Sequence, residues 1–212
     1  MKNIKNKKIL VFGAGGHARV ICDMFESNGF SVTALFDDKL HLKGKKSGEW
    51  QINGNLVDMI QEIKTNSGLE FFIAVGDNFL RKSISQRIVE ETKKKPLNCI
   101  SSFSVVSSHT SMKSGIFIAP GVVINYGVKI GDGVIVNTAA TVDHDCDLGD
   151  YSAVQPGVHL GGGVKIGKKA LIGIGASVKQ YLKVGDGAVV GGGAMVIKDV
   201  DPGKTVVGVP AE

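Results

Sequence analysis

Sixteen positions spaced six residues apart, from Val106 through Ile124, Val142, Leu160 and Val178 to Val196, carry Val, Ile, Leu or Met without exception. A half-buried strand alternates with period two and an amphipathic helix repeats every 3.6 residues, so neither accounts for this phase. A six-residue period specifies a parallel β-helix: one hexapeptide forms one flat side of a triangular coil, and eighteen residues complete a turn. The aliphatic residue points into the prism. Four residues later the side chain is usually small (Ala140, Cys146, Ser152, Ala170, Ala176, Ala188, Ala194), so large and small inward groups alternate along a narrow interior. Gly often follows the aliphatic residue (Gly131, Gly149, Gly167, Gly173, Gly185, Gly191), where a tight corner is expected to need a backbone angle that Cβ forbids.

The 29 Gly and 6% aromatic content of these 212 residues would otherwise read as low complexity, but the Gly keep phase with the aliphatics. The sequence changes character near residue 100. That predicts two domains, a small α/β unit over 1–100 and an all-β parallel helix over 101–212. The net charge of +5 and pI near 9.0 favour anionic small ligands over nucleic acid, because the Lys runs (Lys43, Lys45, Lys46; Lys93 to Lys95) have no aromatic platform between them. Cys22, Cys99 and Cys146 are odd in number and lack metal-ligand spacing, which points away from a disulfide framework or a metal site and toward a reducing cytoplasm. No signal-peptide pattern opens the chain, and no apolar run approaches the ~20 residues that span a bilayer. A soluble protein without membrane insertion is expected.

The first hundred residues open as a βαβ unit: strand KILVF, Gly-rich turn GAGGHAR, a helix to about Asn28, and strand SVTALF. GAGGHA obeys G-x-G-x-x-G only in part, since Ala18 holds the third position, and the domain is too short for both halves of a dinucleotide fold. A mononucleotide or nucleotide-sugar site fits better. The backbone of Gly15, Gly16 and His17 at the helix N-terminus would meet phosphate, and Asp37 and Asp38, at the end of the second strand, would accept from hydroxyls or a base edge. A further strand, EFFIAV, leads through GDNFLR to a helix expected over 80–93 and ended by Pro96.

In the solenoid the third residue of each hexapeptide lies at a corner, and His144 is the only imidazole in that set. Asp143 and Asp145 flank it and could orient the ring and raise its basicity. Gly162, eighteen residues on, lies one coil away, about 4.8 Å by strand spacing. There it would let a ligand approach the backbone and offer its N–H to charge developing on a carbonyl oxygen in acyl transfer. Ile174 and Gly192 share the same eighteen-residue step along another edge. Cys146 is close to His144 in sequence, but its register is that of Ala140 and Ser152, inside the coil. His159 sits at a strand-to-corner transition, and His41 and His109 carry no readable pattern.

Taken together, GAGGHAR, FDD, VGDN, VDHDC and the terminal GVPA resemble the left-handed β-helix sugar-nucleotide acetyltransferases over nearly the whole chain. The likeness is greatest to the N-acetyltransferases of bacillosamine-type pathways, with sialic-acid O-acetyltransferases as relatives. The resemblance implies left-handed coiling, a homotrimer and acetyl-CoA in the groove between adjacent solenoids. It also implies transfer to the 4-amino group of a UDP- or dTDP-linked 4-amino-4,6-dideoxy sugar held on the N-terminal domain. By motif, His144 corresponds to the general base and Asp145 to the acid that polarises it. Gly162, Ile174 and Gly192 match acetyl-CoA positions, and Gly15, Gly16, His17, Asp37, Asp38 and Gly76 match sugar-nucleotide positions. Where some relatives carry a second His in the next coil, this chain has Ala153. O-acetylation of sialic acid or a glycan hydroxyl is the competing enzymatic reading, and a non-catalytic hexapeptide-repeat scaffold the competing one from another class.

Overall fold

The computed structural model describes residues 7–212 and divides into two compact units between Cys99 and Ile100. The first unit runs β1 (Lys8–Phe12), α1 (Gly16–Ser27), β2 (Ser31–Phe36), β3 (Lys46–Ser47), β4 (Trp50–Gly54), α2 (Leu56–Thr65), β5 (Glu70–Ile73) and α3 (Asn78–Thr92). Its sheet has the order β3-β4-β2-β1-β5, parallel except for the short β3–β4 pair. Strand β1 therefore has β2 on one side and β5 on the other, and the crevice at its carboxyl end is the switch point where open α/β sheets bind ligands. The core gathers Leu10, Phe12, Phe36, Met59, Phe71 and Ile88.

The expected βαβ opening is present, with Ala18, Ile21, Cys22 and Phe25 forming the buried face of α1. Helix α2 was not anticipated, although its signal was there. Asn55 accepts from the N–H groups of Val57 and Asp58, Asp58 accepts from the N–H of Asn55, and Leu56, Met59, Ile60 and Ile63 recur at helical spacing. Helix α3 starts at Asn78 rather than Leu80, capped by Asp77 through the Leu80 N–H at 2.8 Å. Pro96 does not end it. Lys93 takes φ 58° and closes the helix before the proline is reached.

In the second unit, two-residue strands stack into three parallel sheets, and successive rungs pair with an eighteen-residue offset, as in Thr141↔His159 and Asp147↔Lys165. The offset shortens to sixteen at the end, where Val184 pairs with Val200 and Val189 with Thr205. The aliphatic positions are buried from Ile118 to Val196, and the small residues four places on are buried with them. Met112 is exposed and Val106 half-buried, because the first coil has no coil before it to close over its interior.

The Gly expectation needs correction. Glycines that follow the aliphatic residue do not adopt positive φ. A Cβ on Gly149 would instead lie 2.7 Å from the Lys168 N, and one on Gly173 2.6 Å from the Gly192 N, so the requirement there is close packing of adjacent coils. The left-handed corner is the fourth position of the hexapeptide. From Gly115 to Gly193 every residue at that position has positive φ, including Ala139, Asp145, Tyr151, Lys169 and Tyr181.

Among the described residues no helix is long and apolar enough to cross a membrane, and no His, Cys, Asp and Glu cluster is arranged to hold a metal ion.

Candidate active site

The corner at His144 is built from three corners stacked along one edge of the solenoid, one from each of three successive coils. The Asp143 carboxylate accepts from the His144 N–H at 2.8 Å and from Asn125 Nδ2, one coil earlier, at 2.8 Å. The hydrogen bond from Asn125, followed by that from the His144 backbone, holds the Asp143 carboxyl below its ordinary range. This ladder fixes the backbone from which the imidazole projects. His144 Nδ1 then lies 2.9 Å from Asp145 Oδ2. A carboxylate can only accept, so Nδ1 carries the proton and the neutral ring presents its lone pair at Nε2. The Asp145 hydrogen bond, with the charges of Asp143 and Asp145 behind it, raises the His144 pKa above 6.5. The side chain remains 48% exposed, and Nε2 has no hydrogen-bond partner among the described residues.

Gly162 stands beneath this ring. A Cβ there would lie 2.5 Å from His144 Nε2 and 2.6 Å from Cε1, so the imidazole occupies the space a side chain would need. The Gly163 N–H donates to the His144 carbonyl at 2.8 Å, while the Gly162 N–H meets no acceptor among the described residues. A proton acceptor and an unengaged backbone donor thus lie side by side, which is what acyl transfer to an amine or hydroxyl requires.

Cys146 is enclosed, as its register predicts. It is 1% exposed, its Sγ lies 3.2 Å from the Gly161 carbonyl, and burial pushes the thiol up to about 11. A thiol so held is a poor nucleophile at neutral pH. Cys146→Ala is therefore expected to keep kcat within a few-fold of the parent. Trapping of an acetyl-thioester on this residue, with a loss matching that of a His144 variant, would overturn direct transfer.

Ile174 and Gly192 are one coil apart along a different corner from His144 and Gly162. Ile174 is 65% exposed, and a Cβ on Gly192 would meet the Ile174 carbonyl at 3.2 Å. Within one chain the structure brings together each pair but not the two pairs. His159 bonds Thr141 Oγ1 through Nδ1 at 2.9 Å on a flat face, and Ala153 is fully buried.

The N-terminal candidates converge at the switch-point crevice of the first unit. Helix α1 has Gly15 as its N-cap, with no side-chain cap and no acid in its first turn, and a Cβ on Gly15 or Gly76 would meet nothing within 4 Å. Asp37 accepts from the Ala14 N–H (3.1 Å) and the Lys39 N–H (3.0 Å), and Asp38 accepts from the Leu56 N–H at the start of α2 (3.0 Å). Both acids thus order the crevice walls, with acceptor capacity left over. His17 is mostly buried, and burial, then the Arg81 charge, lowers its pKa to about 4, so it stays neutral.

Sequence reasoning missed Arg81. It is 2% exposed, and its guanidinium donates to the carbonyls of Val75 and Gly76 (both 2.9 Å) and to Asn78 Oδ1 (2.7 Å), bracing the β5–α3 turn. Nothing in its spacing distinguished it from a surface Arg on α3. Tyr181 was missed too: it is 72% exposed, and its ring covers Gly163, next to Gly162.

Comparison with known proteins gives concordant matches. Residues 8–88 match the family model of the PglD N-terminal domain. The acetyltransferase domain of PglB from Neisseria gonorrhoeae, solved with acetyl coenzyme A, is 32% identical over 98% of both chains, with a TM-score of 0.90. PerB from Caulobacter crescentus, solved with CoA and GDP-perosamine, is 32% identical over 97% of this chain and 96% of its own, with a TM-score of 0.88. WeeI from Acinetobacter baumannii is 30% identical over 96% and 98%, with a TM-score of 0.84. An uncharacterised protein of Acanthamoeba polyphaga mimivirus is 34% identical over 141 residues, and this chain's match spans only 23% of that curated relative's length.

Proposed function

This chain belongs to the hexapeptide-repeat sugar-nucleotide acetyltransferases, the family its motifs resemble, and from that premise we propose that it transfers acetyl from acetyl-CoA to the 4-amino group of a nucleotide-linked 4-amino-4,6-dideoxy sugar. The observation that carries the reading is the Asp145–His144 pair, with Nε2 unengaged next to Gly162, whose N–H is also unengaged. His144 Nε2 removes a proton from the sugar amine as its nitrogen forms the bond to the thioester carbonyl carbon. The Gly162 N–H stabilises the oxyanion, the carbon–sulfur bond breaks, and CoA leaves as the thiol by taking up the proton that His144 removed from the amine. A neutral amine is already a good nucleophile, so holding both substrates in line supplies much of the acceleration.

The sugar nucleotide is assigned to the crevice of the first unit. Its phosphates would meet the N-terminus of α1 at Gly15, Gly16 and His17, and its hydroxyls or base would meet Asp37, Asp38 and the Gly76 turn. Acetyl-CoA is assigned to the solenoid. Because Ile174 and Gly192 lie on a different edge from His144, one cofactor can touch both edges when they come from two copies, which supports a homotrimer with sites between solenoids. The family resemblance implies UDP or dTDP, whereas the relative PerB was solved with GDP-perosamine, so all three bases belong in the test.

Incubation with acetyl-CoA and a panel of UDP-, dTDP- and GDP-linked 4-amino sugars, following free thiol, is expected to show release with at least one amine. Equal release with the matching hydroxyl sugars would favour O-acetylation, and none with any acceptor would favour the scaffold. The division of sites has its own test. Gly16→Val is expected to weaken sugar-nucleotide binding roughly 10- to 100-fold, the worth of a lost charge-assisted hydrogen bond, and to spare acetyl-CoA. The fold leaves room for the change, since a Cβ on Gly16 meets only Arg19 Nη2, at 3.8 Å. Equal losses in calorimetric titrations of the two ligands would show that the sites are not divided in this way.

A further inference from the structure

The fourth-position corners follow a packing rule that reaches the His144–Asp145 pair. A side chain in the left-handed corner leans over the residue eighteen positions earlier. The Tyr181 ring lies over Gly163, where a Cβ would come within 2.6 Å of Cδ1, and the Tyr151 ring lies over Gly133 in the same way. Where the later residue is only Ala139, the earlier Gly121 has room: a Cβ there would sit 3.6 Å or more from its nearest neighbours. Asp145 obeys the rule. At φ 58° its carboxylate folds back over Gly127, and a Cβ on Gly127 would be 2.6 Å from Asp145 Oδ1 while Oδ2 reaches His144 Nδ1.

We propose that Gly127 is a positioning residue for the reaction: its missing side chain is the space in which the Asp145 carboxylate turns to meet His144. This rests on the reading of His144 as the base, but the geometry stands apart from it. Gly127 touches no reacting atom. A Cβ there would overlap Asp145 Oδ1, so the carboxylate must shift from the place it holds against His144. The Nδ1 proton then loses its acceptor, and the hydrogen bond that is the chief cause of the raised His144 pKa goes with it.

Gly121 supplies the control. It has nearly the same backbone conformation as Gly127 (φ 74° against 75°), so Ala imposes the same left-handed strain at both, but a Cβ on Gly121 makes only ordinary contacts. Ala139 at φ 56° shows that the corner accepts Ala.

The experiment uses the full chain as parent, Gly127→Ala, Gly121→Ala, Asp145→Asn and the Gly127→Ala/Asp145→Asn double variant. The His144 ring is titrated by NMR, and kcat is measured against pH. Gly127→Ala is expected to move the His144 midpoint down toward that of Asp145→Asn and to lower kcat about tenfold, part of what a general base contributes. Its KM values should not change. Gly121→Ala should titrate as the parent does, and the double variant should titrate as Asp145→Asn alone. A Gly127→Ala midpoint equal to the parent's would overturn the proposal, as would equal shifts in Gly127→Ala and Gly121→Ala. A midpoint that moves while turnover stays at the parent level in every variant would uphold the positioning and sink His144 as the base.

Discussion

His144→Ala is expected to lower turnover about 10²- to 10⁴-fold, the span usual for a general base, and to leave acetyl-CoA affinity nearly unchanged. The ring rests on Gly162 and is otherwise open to solvent, so its removal opens no buried cavity, and Asp143 and Asn125 still hold the corner backbone. The loss should therefore appear in kcat, with the melting temperature near that of the parent. Since the base acts in its neutral form and its pKa lies above 6.5, the parent's rate should rise with pH through that raised value, and the variant should lose this limb. Full activity in the variant would remove the basis for the enzymatic assignment and return the solenoid to a scaffold role.

Gly162→Ala is expected to cost about 10²-fold in turnover, the effect of displacing a reacting group by an ångström. The backbone at Gly162 is not left-handed, so the coil can accept Ala. The ring cannot, because a Cβ would stand 2.5 Å from Nε2, closer than real Cβ contacts come, and His144 must swing off the corner. The prediction separates two roles for Gly162. If it only let acetyl-CoA approach the backbone, Ala would raise the KM for acetyl-CoA and leave kcat alone. If it seats the imidazole, kcat falls and the His144–Asp145 contact is lost. A variant with parent kcat and a raised KM would reject the seating role.

How much of this could be read in the chain depended on how far each signal travels. The opening strand, turn and helix were legible because their apolar periods are local, and the place of Cys146 inside the coil was legible because hexapeptide phase is local too. Helix α2 carried an equally local signal in Asn55 and Asp58 that the reading passed over. Arg81 could not have been found. What makes it unusual is burial of a charge against Val75, Gly76 and Asn78, and burial is a property of the folded unit.

The coil, the inward and corner positions, and His144 as the imidazole of the corner set follow from the hexapeptide phase alone, because an unbroken repeat leaves side chains no choice of face. What each glycine is for emerges only once the coils are stacked. Glycines after the aliphatic residue admit the next coil, Gly162 admits an imidazole, and Gly127 admits a carboxylate. These reasons lie eighteen residues away along the chain and one strand spacing away in space. A glycine in a sequence records that a side chain is absent, whereas the structure alone shows what has taken its place.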